Sequence, residues 1–170
     1  MKLNQIFVWI CFASIISCGY KLIEKRTILP GGTRKVAISP IENRTKEPAL
    51  GQILTQELIQ TLKTQTQIEL CPPEKTSVVI SGVVVDVSER AIGYDQFGRA
   101  NLVEIRISAK LWLLEKSTQK MLWQSGILVE REQYPLGDDF FINYQLKRQA
   151  FEQICKRLAQ TGIELLFSDF

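Results

Sequence analysis

From Asn101 onward the odd positions read Val103, Ile105, Ile107, Ala109, Leu111 and Leu113, while the even ones include Glu104, Arg106, Ser108 and Lys110. Alternation with period two over such a length predicts a strand with one buried and one wet face. The segment before it carries a similar odd set, Val79, Val83, Val85 and Val87, and the one after it carries Met121, Trp123, Ile127 and Val129. A polar turn, Glu115 to Lys120, joins the last two. Three long strands in succession predict an antiparallel meander. Leu50, Ile53, Leu54, Leu58 and Leu62 recur at steps of three and four, which predicts a helix starting near Pro48. A second, longer helix is expected from about Asp139 to Leu166, striped by Leu146, Ala150, Ile154, Leu158 and Leu165. Lys35 to Ser39 reads as a short strand stopped by Pro40, and Ile68 to Leu70 as another closed by Cys71-Pro72-Pro73.

These elements predict an α+β fold: a two-layer sandwich with two helices packed on one face of a mixed, about four-stranded sheet that contains the meander. The odd positions would face the helices. The other face would be largely uncovered and not uniformly polar, because Ile80, Val84, Leu102, Trp112, Leu114, Leu122 and Leu128 share its even parity. Such a face suggests a surface covered by a partner in the working state, or by the chain's own loops and tether.

The amino terminus changes the picture. Lys2 precedes an apolar run from Ile6 to Ile16, which has signal-peptide order and is roughly half the ~20 residues a bilayer-spanning helix needs. Ile15-Ile16-Ser17-Cys18 resembles the lipobox of bacterial lipoproteins, which implies cleavage before Cys18 and acylation of that residue. Gly19, where an aspartate would resemble an inner-membrane retention signal, favours the outer membrane. The expected division is a signal peptide over 1–17, a lipidated tether over 18–32 ending in Pro30-Gly31-Gly32, and a single domain over 33–170.

The formal net charge is +3, so the chain is no bulk nucleic-acid binder. With no histidine, Ser-His-Asp and Cys-His constellations are excluded and the commonest metal ligand is missing. No spacing argues for a catalyst, a cofactor or a metal. Asp138-Asp139 reads as a helix cap. Cys71 and Cys155 are either a bridge or two separate thiols. The remaining candidates are cations near loops: Arg90 and Arg99 beside the aromatics Tyr94 and Phe97, and Lys116 and Lys120 toward the neighbouring hairpin. Guanidinium groups fork phosphate while rings cover apolar chain, so these residues are candidate contacts for a phosphorylated, acyl-bearing ligand. Tyr94, Phe97 and Trp112 are the candidate partner surface; solvated strand ends are the alternative reading of the cations.

"CGYKL" at the lipobox, then "LPGGTRKVAISPIENRTKEPALGQILTQEL", "VVISGVVVDV", "GRANLVEIRISAKLWL" and "KMLWQS", together resemble the lipopolysaccharide-assembly lipoprotein family LptE. Lys21 stands where that family's usual "CGYHL" start has histidine. The resemblance implies a non-enzymatic lipoprotein, anchored in the outer membrane by its amino-terminal lipid and facing the periplasm or lying within a barrel lumen. It would plug and help assemble a large LptD-like β-barrel translocon, and bind lipopolysaccharide for insertion in the outer leaflet. "KVAISPIENRT" followed by an amphipathic helix and "VVISGVVV" also looks like the domain of curli-secretion-type and penicillin-binding-protein-activator lipoproteins, which act in secretion or cell-wall synthesis.

Overall fold

A computed structural model describes residues 28–30 and 32–168. Cys18, the signal segment and most of the tether lie outside the described residues. In chain order the elements are β1 (Lys35–Ile38), β2 (Glu42–Asn43), α1 (Leu50–Gln65), β3 (Glu69–Leu70), β4 (Val78–Tyr94), β5 (Ala100–Glu115), β6 (Met121–Gln124), β7 (Leu128–Pro135) and α2 (Phe140–Ser168).

The frame is the β4–β5 hairpin, paired antiparallel from Val78↔Glu115 to Tyr94↔Ala100. At ~3.3 Å per residue it is about 50 Å long. β1 and β2 pair parallel with β4, and β3 pairs parallel with β1. On the far side of β5, β6 pairs with residues 112–114 and β7 with residues 102–109. The sheet is therefore mixed and α+β as expected, but it has seven strands among the described residues, not about four, and it curls into a half-barrel where the flat layer of a two-layer sandwich was expected. The brief β3 answers to the strand expected at Ile68 to Leu70, and the two-residue β2, which no pattern announced, accounts for part of the excess. The rest arises because the expected last strand of the meander is broken at Ser125-Gly126-Ile127, where Gly126 sits at φ +69°, a conformation glycine reaches without steric cost.

Both helices pack on the face presented by Val103, Ile105, Ile107, Ala109, Leu111 and Leu113, all buried as the alternation of β5 predicts. The core of α1 is Leu50, Leu54, Leu58 and Leu62, and that of α2 is Ala150, Phe151, Ile154, Cys155, Leu158, Ile163 and Leu166. Leu146 and Leu165 only rim it. Leu111 is the tightest point. A β-carbon on Gly162 of α2 would collide with it, and one on Gly82 of β4 would lie 2.6 Å from it. Helix and strands approach this closely only because both glycines lack a side chain.

Two parity expectations fail, each at an irregularity. In β4 the buried residues are Val78, Ile80, Gly82, Val83 and Val84; of the expected odd set only Val83 is among them, while Val79 is half-buried and Val85 is 42% exposed. A bulge between Val84 and Asp86 opposes two residues to one on β5, so the odd positions turn inward from Val87 onward. Before the break at Gly126, Trp123 is buried as expected but Met121, opposite a register shift in β5, is exposed; after it Leu128 and Tyr134 are buried and Ile127 is exposed. Ile80, Val84 and Leu128 thus belong to the core and not to the outer face.

Where the core tapers, ion pairs hold α2 to the sheet. Lys147 Nζ lies 2.6 Å from both Glu47 Oε1 and Glu89 Oε1, and 5.4 Å from the centre of the Phe151 ring. Tyr134 donates its hydroxyl to Glu89 at 3.4 Å. About three turns further on, Arg157 Nη1 donates to Glu132 at 2.8 Å and Arg157 Nε to Glu130 at 3.4 Å. Asp139 caps α2 by accepting the amide of Ile142 at 3.1 Å. Cys71 and Cys155 are both free thiols, which decides against a bridge.

Candidate functional site

The face of the sheet away from the helices is built by cross-strand rows that the register defines. Toward the β4–β5 tip run Arg90, Glu104 and Gln133, then Ser88, Arg106 and Arg131. Toward the other end run Ser81, Trp112 and Gln124, then Val79, Leu114 and Met121. The face is therefore divided lengthwise, with an arginine-rich half and an apolar half that meet at Lys110 and the exposed bulge residue Val85.

Within the arginine-rich half, Arg90 is neutralised by Glu104 at 3.1 Å. Arg106 and Arg131 are not: among the described residues neither forms an ion pair. They are direct cross-strand partners. The amide of Leu136 donates to the carbonyl of Asn101 at 2.9 Å, which makes that pair hydrogen-bonded. Alternation along the ladder then makes Arg106–Arg131 a non-hydrogen-bonded pair, the kind with the shorter Cα separation of ~4.5 Å. Like charges directly opposite one another destabilise a sheet. An anion lying between the two guanidinium groups would reverse that sign.

The residues singled out from the sequence do not converge on one spot. Arg90 lies on the outer face. Arg99 sits at the hairpin tip, paired with Asp95 at 2.9 Å and Asp138 at 3.7 Å, its guanidinium carbon 5.6 Å from the Phe97 ring centre. Amide hydrogen bonds from Arg99 and Phe97, together with the Arg99 side chain, hold Asp95 below the usual carboxylate range. Tyr94 and Phe97 are exposed at the same tip. Lys116 and Lys120 occupy the β5–β6 turn at the opposite end, about 50 Å away along the hairpin. Lys116 Nζ donates to the carbonyl of Pro73 at 2.6 Å, while Lys120 is exposed. Trp112 is half-buried on the apolar half of the outer face. Two features escaped the sequence reading. Arg131 becomes the neighbour of Arg106 only through the β5–β7 register. Phe140, Phe141, Ile142 and Tyr144 are exposed at the start of α2, and the run "FFINY" at a helix start was the signal available for them.

Among the described residues no group of histidine, cysteine, aspartate and glutamate side chains is arranged to hold a metal, and no helix is long and apolar enough to cross a membrane. The arrangement can bind: it offers cations to an anion beside apolar surface.

A helix-backed mixed sheet of this kind is the fold of several bacterial lipoproteins. Rare lipoprotein B from Shewanella oneidensis aligns with a TM-score of 0.56 at 9% identity, over 78% of this chain and 95% of that one. A candidate lipoprotein from Caulobacter crescentus gives 0.55 at 16% identity, over 78% and 88%. Lipoprotein B from Nitrosomonas europaea gives 0.52 at 17%, over 84% and 88%. These likenesses establish the fold. The family itself follows from the sequence model for lipopolysaccharide-assembly, LptE, which matches residues 33–169; the chain belongs to the LptE family. A comparison with curated proteins gives no match. Nothing in these comparisons supports the curli-secretion-type or cell-wall-activator reading.

Proposed function

We propose that this chain is a lipid-anchored component of the outer-membrane lipopolysaccharide translocon. In this reading Cys18 carries the anchor, the folded domain plugs and helps assemble an LptD-like β-barrel, and the outer sheet face engages lipopolysaccharide on its way to the outer leaflet. The role is binding and scaffolding, not catalysis. The observation that carries the ligand half is the Arg106–Arg131 pair, two cross-strand guanidinium groups without a carboxylate, beside a surface bearing Val85, Trp112 and Leu114. Phosphate oxygens accept hydrogen bonds from paired guanidinium groups, and an acyl chain is covered by the apolar half. The family membership supports the pathway.

The test is lipopolysaccharide binding by the purified protein carrying Arg106→Glu and Arg131→Glu together. Affinity is expected to fall at least tenfold, with the salt dependence of wild-type binding reduced. Unchanged binding removes this face from the mechanism. The partner half is checked by extraction from outer membranes, where a large barrel protein should co-purify in equal amount; a homo-oligomer without a barrel would overturn it.

A further inference from the structure

We infer that the end of the molecule formed by the β4–β5 tip and the start of α2 docks a basic, apolar polypeptide segment of a partner protein. Six exposed large hydrophobic side chains gather there: Tyr94, Phe97, Phe140, Phe141, Ile142 and Tyr144, with Phe97 and Phe141 at 72% and 78% exposure. They come from two elements held together by the Leu136 to Asn101 hydrogen bond and by the Arg99–Asp138 ion pair. Aromatic residues in such number at an exposed end mark a docking surface more than a solvated one.

The chemistry of the occupant follows from the charges around the rings. The tip and the turn before α2 carry three carboxylates, Asp95, Asp138 and Asp139, against one cation, Arg99. Asp139 is used as the helix cap and Asp95 is saturated by Arg99 and two backbone amides. Asp138 is 96% exposed and meets Arg99 only at 3.7 Å, so it is available to a second cation. The chain already shows how a guanidinium is held here: Arg99 lies over the Phe97 ring between Asp95 and Asp138. Rings and carboxylates arranged in this way suit an incoming arginine or lysine flanked by apolar residues. The same carboxylates repel phosphate and an anionic bilayer surface. The arginines that suit phosphate lie on the outer sheet face, so the two surfaces divide the labour: anion on the face, cationic polypeptide at the end.

The inference is tested on the full chain in its own cell envelope. A benzoyl-phenylalanine photo-crosslinker at position 97 or 141 is expected to join a polypeptide, and sequencing of the adduct should place the join in a segment with arginine or lysine among apolar residues. Asp138→Lys should weaken that adduct at least fivefold. An adduct with lipid, an adduct with a second copy of this chain, or an adduct indifferent to Asp138→Lys overturns the inference. A defined probe gives a second reading. A twelve-residue peptide of arginine and leucine should bind the purified protein at least tenfold more tightly than its glutamate–leucine counterpart, and more tightly than phosphatidylethanolamine–phosphatidylglycerol vesicles. Phe97→Ser with Phe141→Ser should weaken peptide binding at least fivefold without lowering the melting temperature, since both rings are exposed. Equal binding of the two peptides, preference for vesicles, or no loss in the serine variant overturns it. None of these variants touches Arg106 or Arg131, so lipopolysaccharide binding at the outer face is scored separately.

Discussion

Arg157 of α2 reaches over the edge of the sheet and donates to the main-chain carbonyl of Arg131. The ladder with β5 uses the even residues of β7, so the odd residues Val129, Arg131, Gln133 and Pro135 turn their main-chain groups to the free edge. Three of the four are blunted. Arg157 covers the Arg131 carbonyl, the Glu132 carboxylate accepts the Gln133 amide at 3.0 Å, and Pro135 has no N–H to offer. Arg157→Leu is expected to lower stability by about 1–2 kcal/mol through lost hydrogen bonds and a partly buried ion pair. It should also open the edge to another strand. Chemical denaturation reads the first effect, and sedimentation at rising protein concentration the second; a variant with the same association state as the wild type would show that Pro135 and Glu132 suffice.

Gly162 and Gly82 each close on a different methyl group of Leu111. Gly162→Val forces a branched side chain into Leu111 and should destabilise by about 1–3 kcal/mol, the usual cost of overpacking. Leu158→Ala leaves a cavity between α2 and the sheet and should cost about 2–5 kcal/mol. Urea denaturation measures both; a Gly162→Val variant of wild-type stability would mean that the helix slides away at little cost.

Acid and alkali should act on different ion pairs. The Arg157 hydrogen bond, aided by the Gln133 amide, holds the Glu132 carboxyl below its ordinary value of 4.5. A group with a lower pKa folded than unfolded lends stability that is complete above the unfolded value and is lost as pH falls through the folded one. For Lys147, burial opposes the charge, but Glu47 and Glu89 outweigh it and raise the ammonium above its ordinary 10.5. That contribution is complete below 10.5 and is lost as pH rises through the folded value. The melting temperature should fall below about pH 4.5 and again above about pH 10.5. Lys147→Met should flatten the alkaline limb and leave the acid one, as read by melting curves across pH.

Burial pushes the Cys155 thiol up to about 12, with Glu57 nearby adding to the shift. At pH 8 a thiol reagent should modify the half-buried Cys71 and leave Cys155 untouched until the protein is denatured. Two thiols titrating at equal rates in the native protein would contradict the packing of α2.

For the anchor, Cys18→Ala should abolish incorporation of labelled palmitate and leave the chain uncleaved or released into the periplasm. Palmitate retained by that variant would exclude Cys18 as the acylation site.

Much of this protein was legible in its letters because its regular stretches are long. The unbroken alternation of Val103 to Leu113 and the three-and-four spacing of Leu50 to Leu62 each demand one buried face, and neither contains an irregularity to mislead the count. The same arithmetic failed at Val85 and at Gly126. A bulge adds one residue and a positive φ turns the chain, and either reverses every inward and outward position that follows. Nothing in the identity of Val84, Val85 and Asp86 announces which of them is the extra one.

The sequence by itself determined the order of elements, the apolar stripes, the helix cap at Asp139 and the family pattern, because these depend on neighbours within a few residues. Only the tertiary structure decided which cations share a surface. Arg106 and Arg131 stand side by side, and Arg99 and Lys116 stand a hairpin's length apart, because strand register and loop length set distances between residues that sequence separation does not encode. The aromatic end has the same origin: Phe97 and Phe141 lie far apart along the chain, and the folding of β7 back along β5 is what carries the start of α2 to the hairpin tip.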